Sequence, residues 1–187
     1  MKWFQEKAMA KTKKNKKNLI IVVVTVVILC LVAGLIWFWA SILPGYLSTE
    51  KAVSNYFIAI SNEDSNLYKK TCYTGKWRNN YKGDVSLTDR ISEALSMQSG
   101  ATYGNVQIIS VEKLDKEYAE KMTDSLKTRF GINQKISQIA RVNFTVDTVF
   151  EGQSQSSGTI TRYCYKCGGK WFFLAEPEVI VDLGVEG

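Results

Sequence analysis

A run of 22 residues without a single charge, 19–40 (LIIVVVTVVILCLVAGLIWFWA), constrains this chain more than any other stretch. Rising about 1.5 Å per residue as a helix, it would extend about 33 Å, enough to cross a bilayer core of roughly 30 Å. Thr25 is its only hydroxyl. Trp37 and Trp39 stand at its far end, where amphipathic rings favour the headgroup layer. The pattern predicts a single membrane-spanning helix over residues 19–43, with residues 1–18 as a basic tail and 44–187 as the folded part.

Charge supports that division. The net charge of +6 resolves into seven lysines and one glutamate in residues 1–18, against 17 basic and 17 acidic side chains in residues 41–187. The lysines are Lys2, Lys7, Lys11, Lys13, Lys14, Lys16 and Lys17, and the acid is Glu6. Loops rich in Lys and Arg stay on the cytoplasmic side, so the N-terminus is expected inside and residues 44–187 outside the cytoplasm of a single-pass cell-membrane protein. Lys11, Lys13, Lys14, Lys16 and Lys17 would lie near the membrane surface, each attracted to anionic lipid by about 1 kcal/mol. A nucleic-acid partner is not indicated, because the basic excess lies entirely beside the apolar run. A cleaved signal peptide does not fit either, since its apolar core spans roughly 7–15 residues. Residues 38–45 (FWASILPG) offer no small-x-small cleavage pattern. Cys30 lies mid-run behind Leu29, where a lipoprotein signal needs a small residue. An uncleaved signal anchor is the expectation. Residues 1–10 read as a frayed tail in preference to a short interfacial helix.

The chain has no histidine. That excludes Ser-His and Cys-His nucleophile pairs and removes the commonest metal ligand. The folded part retains Cys72, Cys164 and Cys167, an odd number that leaves at least one thiol unpaired.

Beyond Pro44-Gly45, Ser48-Thr49-Glu50 predicts a helix start, followed by an apolar face of Val53, Tyr56, Phe57 and Ile60. Asn62-Glu63-Asp64 breaks that helix and offers caps for a short second one through Leu67 and Tyr68. Residues 72–84 (CYTGKWRNNYKGD) show no period and predict a loop. A further helix is expected near 88–99, with Leu87, Ile91, Ala94 and Leu95 inward, then a strand over 105–113. Residues 115–130 carry Tyr118, Met122, Leu126 and Phe130 at four-residue spacing, with Asp115 as cap and Gly131 as the stop. From residue 140 the period becomes two, with Ala140, Val142, Phe144 and Val146 facing inward and Arg141, Asn143, Thr145 and Asp147 outward. A polar loop, EGQSQSSG, leads to a strand over 159–166, a Gly168-Gly169 hairpin and a returning strand over 171–175. The C-terminal end is expected to be acidic and irregular. Helices first and strands last argue an α+β fold, a curved antiparallel sheet with helices packed on one face.

The element order, the opening helix with Tyr56-Phe57, Ile60 and Asn62, and the closing hairpin with Gly169-Lys170-Trp171 resemble the nuclear transport factor 2-like, or cystatin-like cone, superfamily over roughly residues 48–180. The resemblance implies a cone-shaped domain. Small single-pass proteins of Gram-positive bacteria often carry such a domain outside the membrane. The layout is also similar to the bitopic assembly subunits of type IV secretion and conjugation machines. Enzymes of the superfamily use His and Asp, and without histidine no functional residue carries over.

Three features remain as candidates for chemistry. Cys164-Tyr-Lys-Cys167 resembles half a zinc knuckle, but the fourth ligand is missing within one chain. As a redox pair it sits on a strand, away from the helix N-terminus that lowers a thiol pKa. Extended geometry separates the two Cα atoms by about 10 Å, beyond disulfide reach, so a bond from Cys72 to either is the geometrically better pairing. Reduced cysteines packed as small hydrophobes are the favoured reading. Second, Tyr73, Trp77, Tyr103, Tyr163, Tyr165 and Trp171 could line a pocket in a cone-shaped fold, although core packing is the commoner use of such rings. Third, Glu63-Asp64 and Glu176/Glu178 lie at element ends and read as solvated. The Asn143-Phe-Thr145 sequon falls inside a strand.

The expectation is a non-enzymatic, membrane-anchored module without cofactor or metal that binds other proteins or itself outside the cytoplasm. A small-ligand pocket protein and a thiol redox protein using Cys164 and Cys167 follow as alternatives.

Overall fold

The computed structural model describes residues 25–32 and 45–185. The chain divides into two compact units, 1–43 and 44–187. In the first, residues 25–32 are helical and exposed. The rest of the expected span, Trp37 and Trp39, and the tail lysines lie outside the described residues. Among the described residues no helix is long and apolar enough to cross a membrane.

The second unit is α+β, with six helices and a curled, antiparallel five-stranded sheet. Helix α1 (Thr49–Ser61) starts as the sequence predicts, with Ser48 Oγ accepting the Lys51 N–H at 3.3 Å. Asp64 then caps α2 (Ser65–Cys72) by accepting from the N–H groups of Asn66 and Leu67, both at 3.0 Å. The expected loop at 72–84 contains a helix instead, α3 (Gly75–Asn80). Thr74 Oγ1 caps it at the Trp77 N–H, and Trp77 is buried. One buried indole and one cap outweigh the poor helix propensity of Gly and Asn. Helix α4 (Leu87–Ser96) is capped by Ser86 and turns Ile91 and Leu95 into the core.

Strand β1 (Ala101–Lys113) begins earlier than its Val and Ile content suggests. Helix α5 (Lys116–Phe130) ends at Gly131 with φ +67°, but Asp115 makes no capping hydrogen bond through its side chain. Strand β2 (Gln138–Phe150) is the centre of the sheet, with Ala140, Val142, Phe144 and Val146 buried in strict alternation. One edge of β2 pairs with β1 along its length. The other pairs first with β4 (Ile160–Cys167) and then, further along, with β3 (Gln153–Ser156). The polar loop therefore holds a strand: Glu151 (φ +50°) and Gly152 (φ +78°) make a two-residue hairpin turn. Ladder hydrogen bonds place Gln153–Ser156 there despite their polarity. Gly168 and Gly169 make the second such turn, into β5 (Lys170–Phe173). Register shifts in β1 at Gly104/Gln107 and Ile108/Ser110 add local twist, which helps curl the sheet.

The outer side of β5 is taken by the segment entering the domain. Tyr46 donates to the Trp171 carbonyl at 2.8 Å and accepts from the Trp171 N–H at 2.7 Å. Gly45, at φ +83°, lies under the Phe172 ring, where a Cβ would come within 2.5 Å of ring carbon. The expected irregular C-terminus is ordered as α6 (Pro177–Leu183), with Pro at its start and Gly184 in the left-handed conformation at its end. Val179 and Leu183 are buried, giving this acidic stretch an apolar face that anchors it.

Candidate functional site

Aromatic residues fill most of the core. On α1, Tyr56 stacks on Phe173 with centroids 3.7 Å apart, and Phe57 meets Phe144 at 5.4 Å. Trp77 lies between Tyr73, Phe130 and Tyr165 at 5.2–5.9 Å. Tyr165 donates its buried hydroxyl to the Cys72 carbonyl at 2.7 Å.

Of the six aromatics expected to line a pocket, Tyr73 lines the cleft described below. Trp77, Tyr163, Tyr165 and Trp171 are buried packing residues, and Tyr103 is half-buried beside Phe57 at 5.3 Å. The cleft lies elsewhere, between α4 and the start of α6, with a volume of about 360 Å³. Tyr56, Tyr68 and Tyr73 line it from α1, α2 and the end of α2. Arg90, Glu93, Ala94 and Met97 enter from α4 and the turn that follows, and Ala175, Glu176, Pro177 and Glu178 from the chain entering α6.

At its heart is a buried polar cluster, and here the reading of Glu176 and Glu178 as solvated is corrected. Glu176 is only 3 % exposed. The Tyr73 hydroxyl donates to its Oε1 at 2.5 Å, and Arg90 Nη1 donates to its Oε2 at 2.9 Å. The same Nη1 reaches Glu178 Oε1, also at 2.9 Å. Pro177 forces the turn that sends the two glutamates to one guanidinium. The stacked rings of Tyr81 and Phe130 lie to one side of that guanidinium at 6.0 and 5.8 Å, adding cation–π attraction.

The carboxyls titrate in opposite directions. Burial pushes Glu176 above the ordinary carboxylate range, more than the Tyr73 and Arg90 contacts pull it down. Glu178 is also desolvated, but its own backbone N–H and Arg90 together hold it below that range. The folded state binds the Glu176 proton more tightly than the unfolded chain does. Its contribution to stability is therefore present at low pH and declines as pH rises from the ordinary carboxylate range through the raised value.

Cys72, Cys164 and Cys167 are not among the residues lining the cleft. None is in a disulfide, and Cys72 and Cys164 are fully buried. Burial pushes both thiols well up, the reverse of what a nucleophilic thiol needs. Cys167, half-buried, accepts from Gln134 Nε2 at 2.6 Å and faces the Lys135 carbonyl at 3.5 Å. Gln134 also takes the Thr74 hydroxyl proton, tying the second hairpin to the cap of α3. Among the described residues no group of three His, Cys, Asp or Glu side chains could hold a metal ion. Asn143 of the sequon lies in β2, bonded to Ser110 and Thr161.

A second, shallower groove of about 510 Å³ runs between α5 and α6. Its charges are committed to each other: Arg129 grips Asp182 through two contacts at 2.5 Å, and Ser125 donates to the same carboxylate.

Sequence reasoning missed Arg90 and Glu176 because they are 86 residues apart and neither sits in a motif. The Glu-Pro-Glu spacing before an apolar stretch was the one local signal. No protein-family model matches the chain, and no match was found among curated proteins or solved structures.

Proposed function

We propose that this chain is a membrane-anchored, non-enzymatic binding module whose folded domain works outside the cytoplasm. The observation carrying this reading is the charge-free run 19–40 behind a lysine-rich tail, followed within five residues by Gly45, the first described residue of a domain without histidine. Such a chain has an address and a compact fold, in which Tyr73, Arg90 and Glu176 bond to one another. Helices preceding a curled antiparallel sheet also support the likeness to the nuclear transport factor 2-like cone. A role resembling that of the bitopic assembly subunits of type IV secretion or conjugation machines is its most concrete form, with protein partners or self-association as the activity.

Protease added to intact cells tests the reading. Residues 44–187 should be degraded while a reporter fused before residue 1 is protected. A protected domain with an accessible N-terminus would invert the scheme. Crosslinking in membranes should then trap a larger species, and a strictly solitary monomer would remove the assembly role.

A second reading, capture of a small ligand of the cell envelope, is favoured by the cleft. Its volume lies within the roughly 300–1,000 Å³ of small-molecule sites. It combines apolar and aromatic walls with a few convergent charged groups, one of them a carboxyl displaced from its ordinary range.

A further inference from the structure

We propose that the cleft between α4 and α6 is a binding site for a small organic cation, an amine carried on an aromatic or short apolar body. This rests on the reading of the cleft as a ligand site and adds the chemical class of the ligand.

The argument begins with charge. Three carboxylates line the cleft, Glu93, Glu176 and Glu178, against one guanidinium, Arg90. Arg90 is committed mainly within the cluster: its Nη1 serves Glu176 and Glu178 together, the stacked rings of Tyr81 and Phe130 lie on one side of it, and its Nε is buried without a partner. Arg162 on β4 acts on Tyr56 and Arg129 on Glu178 from outside the lining; Arg129 is already bound to Asp182, so counting all three with Asp182 leaves the acids in excess. Glu178 is about a third exposed and keeps a buried Oε2 without a hydrogen-bond partner, and Glu93 is exposed, so the carboxylate charge not taken by Arg90 lies on these two residues. An anion entering here would meet repulsion from every carboxylate, and a neutral ligand would leave that charge unanswered.

The walls narrow the class further. The Tyr73 hydroxyl is occupied, donating to Glu176. The tyrosine rings offer faces and edges, which attract a cation or pack against an apolar body. Met97 stands at the rim 74 % exposed, an apolar side chain with little packing of its own and the adaptable shape that suits a ligand-contacting position. An ammonium between Glu93 and Glu178 with its apolar part against Met97 and Ala94 answers the carboxylate charge of the cleft, while Arg90 Nε stays without a partner.

The test uses the full chain in zwitterionic micelles with methyl-labelled Met and Ala, titrated with three probes of one size: 2-phenylethylammonium, 2-phenylethanol and 3-phenylpropanoate. The Met97 and Ala94 methyls should shift saturably with the ammonium, while Met122 in the core stays fixed and reports an intact fold. The alcohol and the carboxylate should bind at least about tenfold more weakly, the loss expected when a charge-assisted hydrogen bond is removed. Glu178→Gln should weaken the ammonium about tenfold and the exposed Glu93→Gln about threefold. Equal binding of alcohol and ammonium, or unchanged binding in both variants, would overturn the cation assignment and leave the cleft as a ligand site. No movement of Met97 or Ala94 with any probe would overturn the ligand site as well.

Discussion

The two edges of the sheet are built in opposite ways. At β5 three of four residues are buried, and the outer side is covered by Tyr46, which exchanges two backbone hydrogen bonds with Trp171. At β1 most residues are exposed, and among the described residues no strand pairs with its outer side. There, the Ser61 hydroxyl accepts the Tyr103 N–H at 2.7 Å and donates to the Tyr103 carbonyl at 3.3 Å, and the Ala101 N–H donates to the Gln98 carbonyl at 3.3 Å. An open edge invites pairing with other chains. This one carries two register shifts and ends in Glu112-Lys113, features that discourage flat, continuous pairing. One edge is closed by covalently attached chain, and the other is only made unattractive.

Substitutions should separate the two. The largest effect is expected at Trp171→Ala, which removes the buried indole behind the closed edge while keeping its backbone links, and should cost about 3–5 kcal/mol in denaturant unfolding. A loss below about 1 kcal/mol would mean that the edge is not sealed by packing. Gly45→Ala attacks the same edge from the backbone, by strain at positive φ and by collision with the Phe172 ring, and should cost about 1–3 kcal/mol. At the open edge, Ser61→Ala should cost about 1 kcal/mol and speed hydrogen exchange at the Tyr103 amide, leaving the Trp171 amide protected. Ile109→Lys, at a side chain 57 % exposed, should change stability by no more than about 0.5 kcal/mol. A larger loss there would show that the β1 edge is covered in the native protein.

Legibility in the sequence followed locality. Helices α1 and α5 and strand β2 could be read because each repeats its apolar residues with one period over many positions. Helix α3 could not, since a single tryptophan carries its burial and six residues hold no period. Strand β3 is polar throughout and exists because Glu151-Gly152 turns it back onto β2. The cleft was the least legible part. Its residues come from four separated segments, and only the folded chain brings Arg90 to Glu176. The aromatic count pointed to a pocket, yet most of those rings are packing and the cleft took only Tyr73 from the expected set.

The clamp at Tyr46 also has a mechanical meaning. Tension arriving from residue 44 is borne first by two short amide–carbonyl links at Trp171 and by a third, from the Gly45 N–H to the Lys70 carbonyl at 3.0 Å. Pulled from its end, so short a bridge peels one link at a time, and the load passes to α1 only after Tyr46 is free. A pull on the chain at Gly45 would thus load these three links before it reached the paired strands of the sheet.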